Sequence, residues 1–168
     1  LTEQKSMGKW MIVLAWISAF GLLIMVFSEL LDRQVNPNSS PESSQVGNRV
    51  EVRLKQNRAG HYVTSGFING TKVTFLVDTG ATDVAVPAHL ASTLQMQAGR
   101  QALASTANGI VQINESRIDT LRIGDIVLRD VEANLNPGMS DDEILLGMSV
   151  LRQLEFTQRG ERLILRTL

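Results

Sequence analysis

Eighteen consecutive residues without a charge, Trp10 to Phe27 (WMIVLAWISAFGLLIMVF), set the organisation of this 168-residue chain. As a helix, at about 1.5 Å per residue, the run measures roughly 27 Å, close to the hydrocarbon thickness of a bilayer. Trp10 stands at one edge, where an indole ring favours the headgroup region. Lys5 and Lys9 precede the run; Glu29, Asp32 and Arg33 follow it. A basic flank is retained in the cytoplasm, so the C-terminal part is expected outside it. A cleaved signal peptide and a buried core helix are the alternatives. The run is long for a signal sequence, and no A-x-A-like site follows it. The expected organisation is therefore a cytoplasmic N-terminus over 1–9 and a transmembrane anchor over 10–31.

Residues 32–48 read DRQVNPNSSPESSQVGN, polar and without apolar periodicity, which is the composition of a flexible linker. Residues 49–168 read differently. Val50, Val52 and Leu54 alternate with Glu51, Arg53 and Lys55, the period of a half-buried strand. Val73, Phe75 and Val77 repeat that pattern and end at Asp78-Thr79-Gly80. A short helix is expected over Ala88–Gln95, after Pro87. Leu103 to Ile113 carries Asn108-Gly109 at its middle, a tight hairpin signal. A second hairpin is expected to turn at Gly124-Asp125. Ile144-Leu145-Leu146 is a short apolar strand ending at Gly147, and Met148 to Phe156 has helical spacing. Leu163 to Leu165 suits a final strand. Many short strands with one or two helices predict an all-β domain, a small closed or partly open barrel.

Composition removes several chemistries. Sixteen Lys and Arg against 17 Asp and Glu leave a net charge of −1, so there is no basic excess to hold nucleic acid. Cysteine is absent, which excludes disulfides, thiol catalysis and Cys-based zinc sites. His61 and His89 are far apart in sequence, and no metal site is expected. Asp141-Asp142-Glu143 lacks the ligand spacing of a calcium loop and reads as a solvated loop. Ser149 lacks the second glycine of a nucleophile elbow and reads as an early helix residue. Asp83 and Asp125 read as turn residues.

One motif carries chemistry. In Phe75-Leu76-Val77-Asp78-Thr79-Gly80-Ala81-Thr82, an apolar strand delivers a carboxylate into a glycine turn. Asp-x-Gly alone also has a plain reading as a turn, in which Asp accepts N–H groups and Gly supplies positive φ. Its context is the preceding apolar strand, a glycine-tipped hairpin some thirty residues on, and Ile144-Leu145-Leu146-Gly147 leading into a helix. In this order the segments resemble the retropepsin family of retroviral-type aspartic proteases, in particular its bacterial membrane-anchored members. The resemblance covers most of 49–168, and its strongest parts are FLVDTGAT and ILLGMSVL.

The resemblance implies an acid-protease-like barrel with one short C-terminal helix, and roles for matching positions. Asp78 is the catalytic carboxylate, Thr79 bonds across the active-site floor, and Gly80 admits a close backbone. Asn108 and Gly109 tip a flap. Leu145, Leu146 and Gly147 pack behind the Asp78 loop. The chemistry needs two carboxylates and a water, with no metal or organic cofactor. One Asp-Thr-Gly in one lobe implies a homodimer with an Asp78 from each chain. Ala81 cannot donate a hydroxyl hydrogen bond to the carboxylate, so activity reaching weakly acidic or near-neutral pH is expected. The expected partners are a polypeptide substrate, a second copy and the membrane; the expected location is the bacterial periplasm. A non-catalytic binding or dimerisation module on the same fold is the alternative from another class. A tethered structural protein with a chance Asp-Thr-Gly is a third.

Overall fold

The structure is a computed structural model that describes residues 3–106 and 109–168. It comprises two compact units divided between Val35 and Asn36. The first is a single helix, α1 (Glu3–Val35). Its segment Lys9–Val35 is long and apolar enough to cross a membrane, and its most apolar stretch of 18 residues has a mean hydropathy of 2.4 with 0% of it buried. Trp16, Phe20 and Leu23 are all exposed. A helix apolar on every side needs apolar surroundings, and water does not supply them.

The second unit is built from strands β1 (Glu42–Val46), β2 (Arg49–Lys55), β3 (Val63–Ile68), β4 (Thr71–Val77), β5 (Val84–Pro87) and β6 (Gln101–Thr106). After these come β7 (Gly109–Ile123), β8 (Ile126–Asn136), β9 (Glu143–Leu146), helix α2 (Met148–Leu151), β10 (Leu154–Arg159) and β11 (Arg162–Thr167). Seven strands form one sheet in the order β3-β4-β9-β5-β8-β7-β6, and an extra β3–β7 pairing curls it into a partly closed barrel. That closure requires Gly66: a Cβ there would fall on the Arg122 carbonyl oxygen and 2.6 Å from the Phe75 ring. The second sheet has the order β1-β2-β11-β10. Phe75, Ile118, Leu121, Ile144, Leu146 and Leu165 are fully buried between them.

The all-β barrel agrees with the sequence reading, and so do most of its strands. The hairpin at Gly124-Asp125 forms with Ile123 opposite Ile126. Three expectations are corrected. The helix over Met148–Phe156 stops at Leu151, because Leu154 to Arg159 pair with β11 as a strand. The helix over Ala88–Gln95 is a 3-10 turn at Ala88–Leu90 followed by turns.

The third correction concerns the flexible linker over 32–48. Helix α1 continues to Val35, and β1 pairs along β2 from Glu42 to Val46. Between them Asn38 is buried. Its side chain donates to the Lys55 carbonyl (2.9 Å) and the Val63 carbonyl (2.6 Å), and accepts from the Lys55 N–H (2.7 Å). A polar composition does not separate a linker from an edge strand whose partners lie elsewhere in the chain.

Candidate active site

Strand β4 runs parallel to β9, with Leu76 opposite Leu145 and Val77 opposite Leu146. The next residue is Asp78. Its N–H donates to the Leu146 carbonyl at 3.2 Å, so the ladder extends onto the acid. The chain then turns. The Gly80 N–H donates to Asp78 Oδ1 at 2.8 Å, and the Ala81 N–H donates to the Asp78 carbonyl at 3.3 Å. This is a side-chain-stabilised turn of the kind that Asp and Gly favour. A Cβ on Gly80 would lie 3.1 Å from Asp78 Oδ1, so the turn has little room for one. Thr79 and Gly80 are exposed, while Asp78 and Ala81 are half-buried.

Behind this turn lies the segment that follows β9. Leu146 is fully buried and Leu145 half-buried. The Met148 N–H donates to the Ala81 carbonyl (2.8 Å) and the Ser149 N–H to the Thr82 carbonyl (2.9 Å). The chains approach so closely that a Cβ on Gly147 would fall on the Asp83 carbonyl oxygen and 2.7 Å from that of Ala81. Asp78 to Ala81 and Leu145 to Gly147 are therefore one hydrogen-bonded unit. A concavity of about 240 Å³ lies beside it, lined by Thr79, Gly80, Ala81, Thr82, Met148 and Arg152. A larger open concavity of about 530 Å³ lies between Gln95–Arg100 and Glu115–Asp119, and Asp78 is not in its lining.

Sequence reasoning missed the work of Ser149. It is buried, its hydroxyl donates to the Glu132 carbonyl (2.9 Å), and it accepts from the Val84 N–H (3.1 Å). It thus ties α2 to β5 and β8. A serine among the apolar residues of GMSVL was the available signal, since a buried hydroxyl must find partners. Arg152 was missed as well. Burial pushes the Asp83 carboxyl above its ordinary range, Glu132 adds to this, and Arg152 opposes it. In the acidic run, Asp142 pairs with His89 (2.8 Å), so that histidine has a partner distant in sequence. Burial raises the Glu143 carboxyl.

The hairpin expected to be a flap is formed by β6 and β7. Its register places Gly109 opposite Thr106, with φ of 113°. Gly109 thus opens β7, whereas the sequence reading put it in the turn. Asn108, the other flap residue, lies outside the described residues. Leu103 and Ile110 are 74% and 73% exposed on this hairpin. Gly109 is not in the lining of the concavity beside the Asp78 loop.

Residues 64–153 match the family model described as "gag-polyprotein putative aspartyl protease". A Sinorhizobium sp protein described as "Uncharacterized protein in cobV 5'region" is 32% identical over 120 residues, 69% of this chain. The chain spans about half, 52%, of that relative's length. A solved retropepsin-like aspartic protease from Rickettsia conorii superposes with a TM-score of 0.59 at 26% identity, covering 76% of this chain and 94% of that one. EIAV protease complexed with the inhibitor HBY-793 aligns at 19% identity and a TM-score of 0.48, over 59% of this chain and 92% of that one. With the family model spanning more than half its length, this chain belongs to the gag-type, retropepsin-like aspartic protease family.

Proposed function

We propose that the chain is an aspartic endopeptidase, active as a homodimer and anchored by α1. The observation that carries this reading is the Asp78 carboxylate, half-buried at the end of β4 in an exposed Thr79-Gly80 turn. The chain has a single Asp-Thr-Gly. Two copies bring two Asp78 carboxylates to a two-fold axis. Carboxylates about 3 Å apart do not both ionise readily and share one proton. The ionised one takes a proton from water, and the protonated one donates to the scissile carbonyl oxygen. Water adds to the carbonyl carbon, the C–N bond breaks, and the amine leaves with a proton. The reaction needs no metal or cofactor.

In this reading Thr79 bonds to the loop of the second copy, and Gly80 leaves room for a backbone. Ala81 completes the loop, and Leu145, Leu146 and Gly147 hold it from behind. The β6–β7 hairpin, Gly109 included, closes over an extended peptide that binds through strand-like backbone hydrogen bonds. The anchor confines copies to one surface and raises their effective concentration. The N-terminus is cytoplasmic and the protease domain lies outside, in the periplasm.

The test is cleavage of a peptide library by the full chain in detergent, between mildly acidic and neutral pH, beside its Asp78→Asn variant. Replacing the acid is expected to lower kcat by about a thousandfold, within the range of acid–base catalysis. Equal cleavage by both proteins sinks the assignment of Asp78. No cleavage by a wild-type sample shown to be dimeric favours a binding module.

A further inference from the structure

The two concavities differ in what their cations do. Arg100 and Arg117 line the larger one, and acids already hold both: Arg100 pairs with Glu115 (2.8 Å) and Arg117 with Asp130 (3.0 Å). Beside the Asp78 loop, Arg152 is the one charged residue in the lining. It is exposed, and it enters no salt bridge among the described residues. Asp83 feels its positive field but stands outside ion-pair distance.

The guanidinium is held by one corner. Arg152 directly follows α2, and its Nε donates to the Met148 carbonyl one turn back at 3.2 Å. That bond orients the plane and leaves the two terminal nitrogens for another acceptor. Two N–H donors in a rigid fork match the two oxygens of a carboxylate. The rest of the lining suits the stem behind such a group. Ala81 and Met148 supply apolar surface, and Thr79 and Thr82 supply hydroxyls. Asp and Glu side chains combine a short methylene stem with two oxygens. A Lys or Arg side chain would set like charges together there, a repulsion that sharpens the choice.

We propose that this concavity is a subsite for an acidic side chain of the peptide, with Arg152 as its specificity-determining contact. The inference rests on the endopeptidase reading for the purpose of the subsite. Asp78 is not in the lining, whereas Thr79 to Thr82 lead from it into the concavity. The acidic residue therefore flanks the scissile bond and does not form it. A two-fold axis at the Asp78 pair repeats the concavity, so an acidic residue is favoured on each side of the cut. The contact is an exposed ion pair, which discriminates by several-fold and not by thousands.

The probe is a set of short Ala-Leu peptides with acetyl and amide ends, so that no chain terminus supplies a carboxylate. Each position in turn is Glu, Gln or Lys. Cleavage is read with the full chain in detergent, and binding, by fluorescence anisotropy, with its Asp78→Asn variant. Glu is expected to exceed Gln by about fivefold in kcat/KM at one position on each side of the cut, with Lys below Gln. KM is expected to carry the difference, because the contact is made equally in the ground and transition states. Arg152→Glu is expected to reverse the order, Arg152→Gln to level Glu with Gln, and Arg152→Lys to keep Glu ahead. Arg129→Glu makes the same change of charge on β8, outside the lining, and is expected to keep the wild-type order. Each order is a ratio within one protein, so a general loss of folding or activity cancels. The same order in wild type, R152E and R152Q overturns the proposal, as does reversal by R129E. Cleavage that needs Asp78 but favours Glu nowhere sinks the subsite and leaves the endopeptidase standing. Glu-selective binding that R152E reverses, with no peptide cut, upholds the subsite and sinks the endopeptidase.

Discussion

Gly147 is the residue whose side chain matters by its absence. It sits where the chain after β9 crosses the Asp78 loop, and the atoms a Cβ would strike are backbone oxygens of Asp83 and Ala81. Those oxygens are held in place, since the Ala81 carbonyl accepts from the Met148 N–H at 2.8 Å. Neither can swing aside as a flexible side chain would. Gly147→Ala is therefore expected to destabilise the protein by about 3 kcal/mol, the upper part of the range for overpacking. Urea unfolding followed by circular dichroism measures this; a loss near zero would mean the two segments separate freely. Asp78 and Gly147 were both legible in sequence, because each belongs to a short motif. Ser149 was read only as a helix residue, because its two hydrogen-bond partners, Glu132 and Val84, are remote in the chain.

At the scale of elements, the segment between α1 and β2 shows what local sequence leaves open. Asn38 makes three side-chain hydrogen bonds to β2 and β3, and its carbonyl accepts from the Ser65 N–H at 3.1 Å. Asn38→Ala strands the Lys55 N–H and two carbonyl groups in a buried place. The expected cost is about 3 kcal/mol, that of leaving buried polar groups unpaired. Gln45→Ala, on exposed β1, is expected to cost less than about 0.5 kcal/mol. Thermal melts of the two variants side by side make the check. Equal losses would mean Asn38 is no clamp, and equal tolerance would return 36–48 to the status of a linker. The strands with clean alternation, β2 and β4, were readable because one face of each meets the core. β1 was not, because its burial is partial and four of its five residues are Glu, Ser, Ser and Gln.

At the scale of the whole molecule, one buried acid ties the terminal sheet together. Glu51 on β2 bonds Arg166 on β11 (2.6 Å) and Arg53 (2.8 Å), and Arg166 reaches Glu155 on β10 (3.4 Å). The Arg166 guanidinium, helped by Arg53 and opposed by burial, holds the Glu51 carboxyl below its ordinary value of 4.5. A carboxyl depressed in the fold contributes stability that is present above pH 4.5 and lost as pH falls through its folded value. Asp83 and Glu143 are shifted the other way, so their contribution is present at low pH and lost as pH rises through their raised values. The melting temperature is expected to fall on acidification below pH 4.5, and Glu51→Gln is expected to flatten that fall. Parallel wild-type and E51Q curves from pH 7 down to about pH 3 would remove Glu51 from the account.

Elements whose cause is local are written in the chain. An uncharged run long enough to span a bilayer is legible because hydropathy needs no partner. The strand into Asp78-Thr79-Gly80 and the strand into Gly147 are legible because period-two alternation and turn chemistry are properties of neighbours in the chain. Tertiary structure decided everything whose cause is a distant partner. It ended α2 at Leu151, since β11 offered Leu154–Arg159 a ladder worth more than continued helix. It made β1 a strand and Asn38 a clamp, through carbonyl and amide groups on β2 and β3. It buried Glu51 in an otherwise polar-looking position, because Arg53 and Arg166 converge there from two strands. Hydrophobic pattern is written along the chain, whereas the satisfaction of a buried polar group is settled only by what the fold brings beside it.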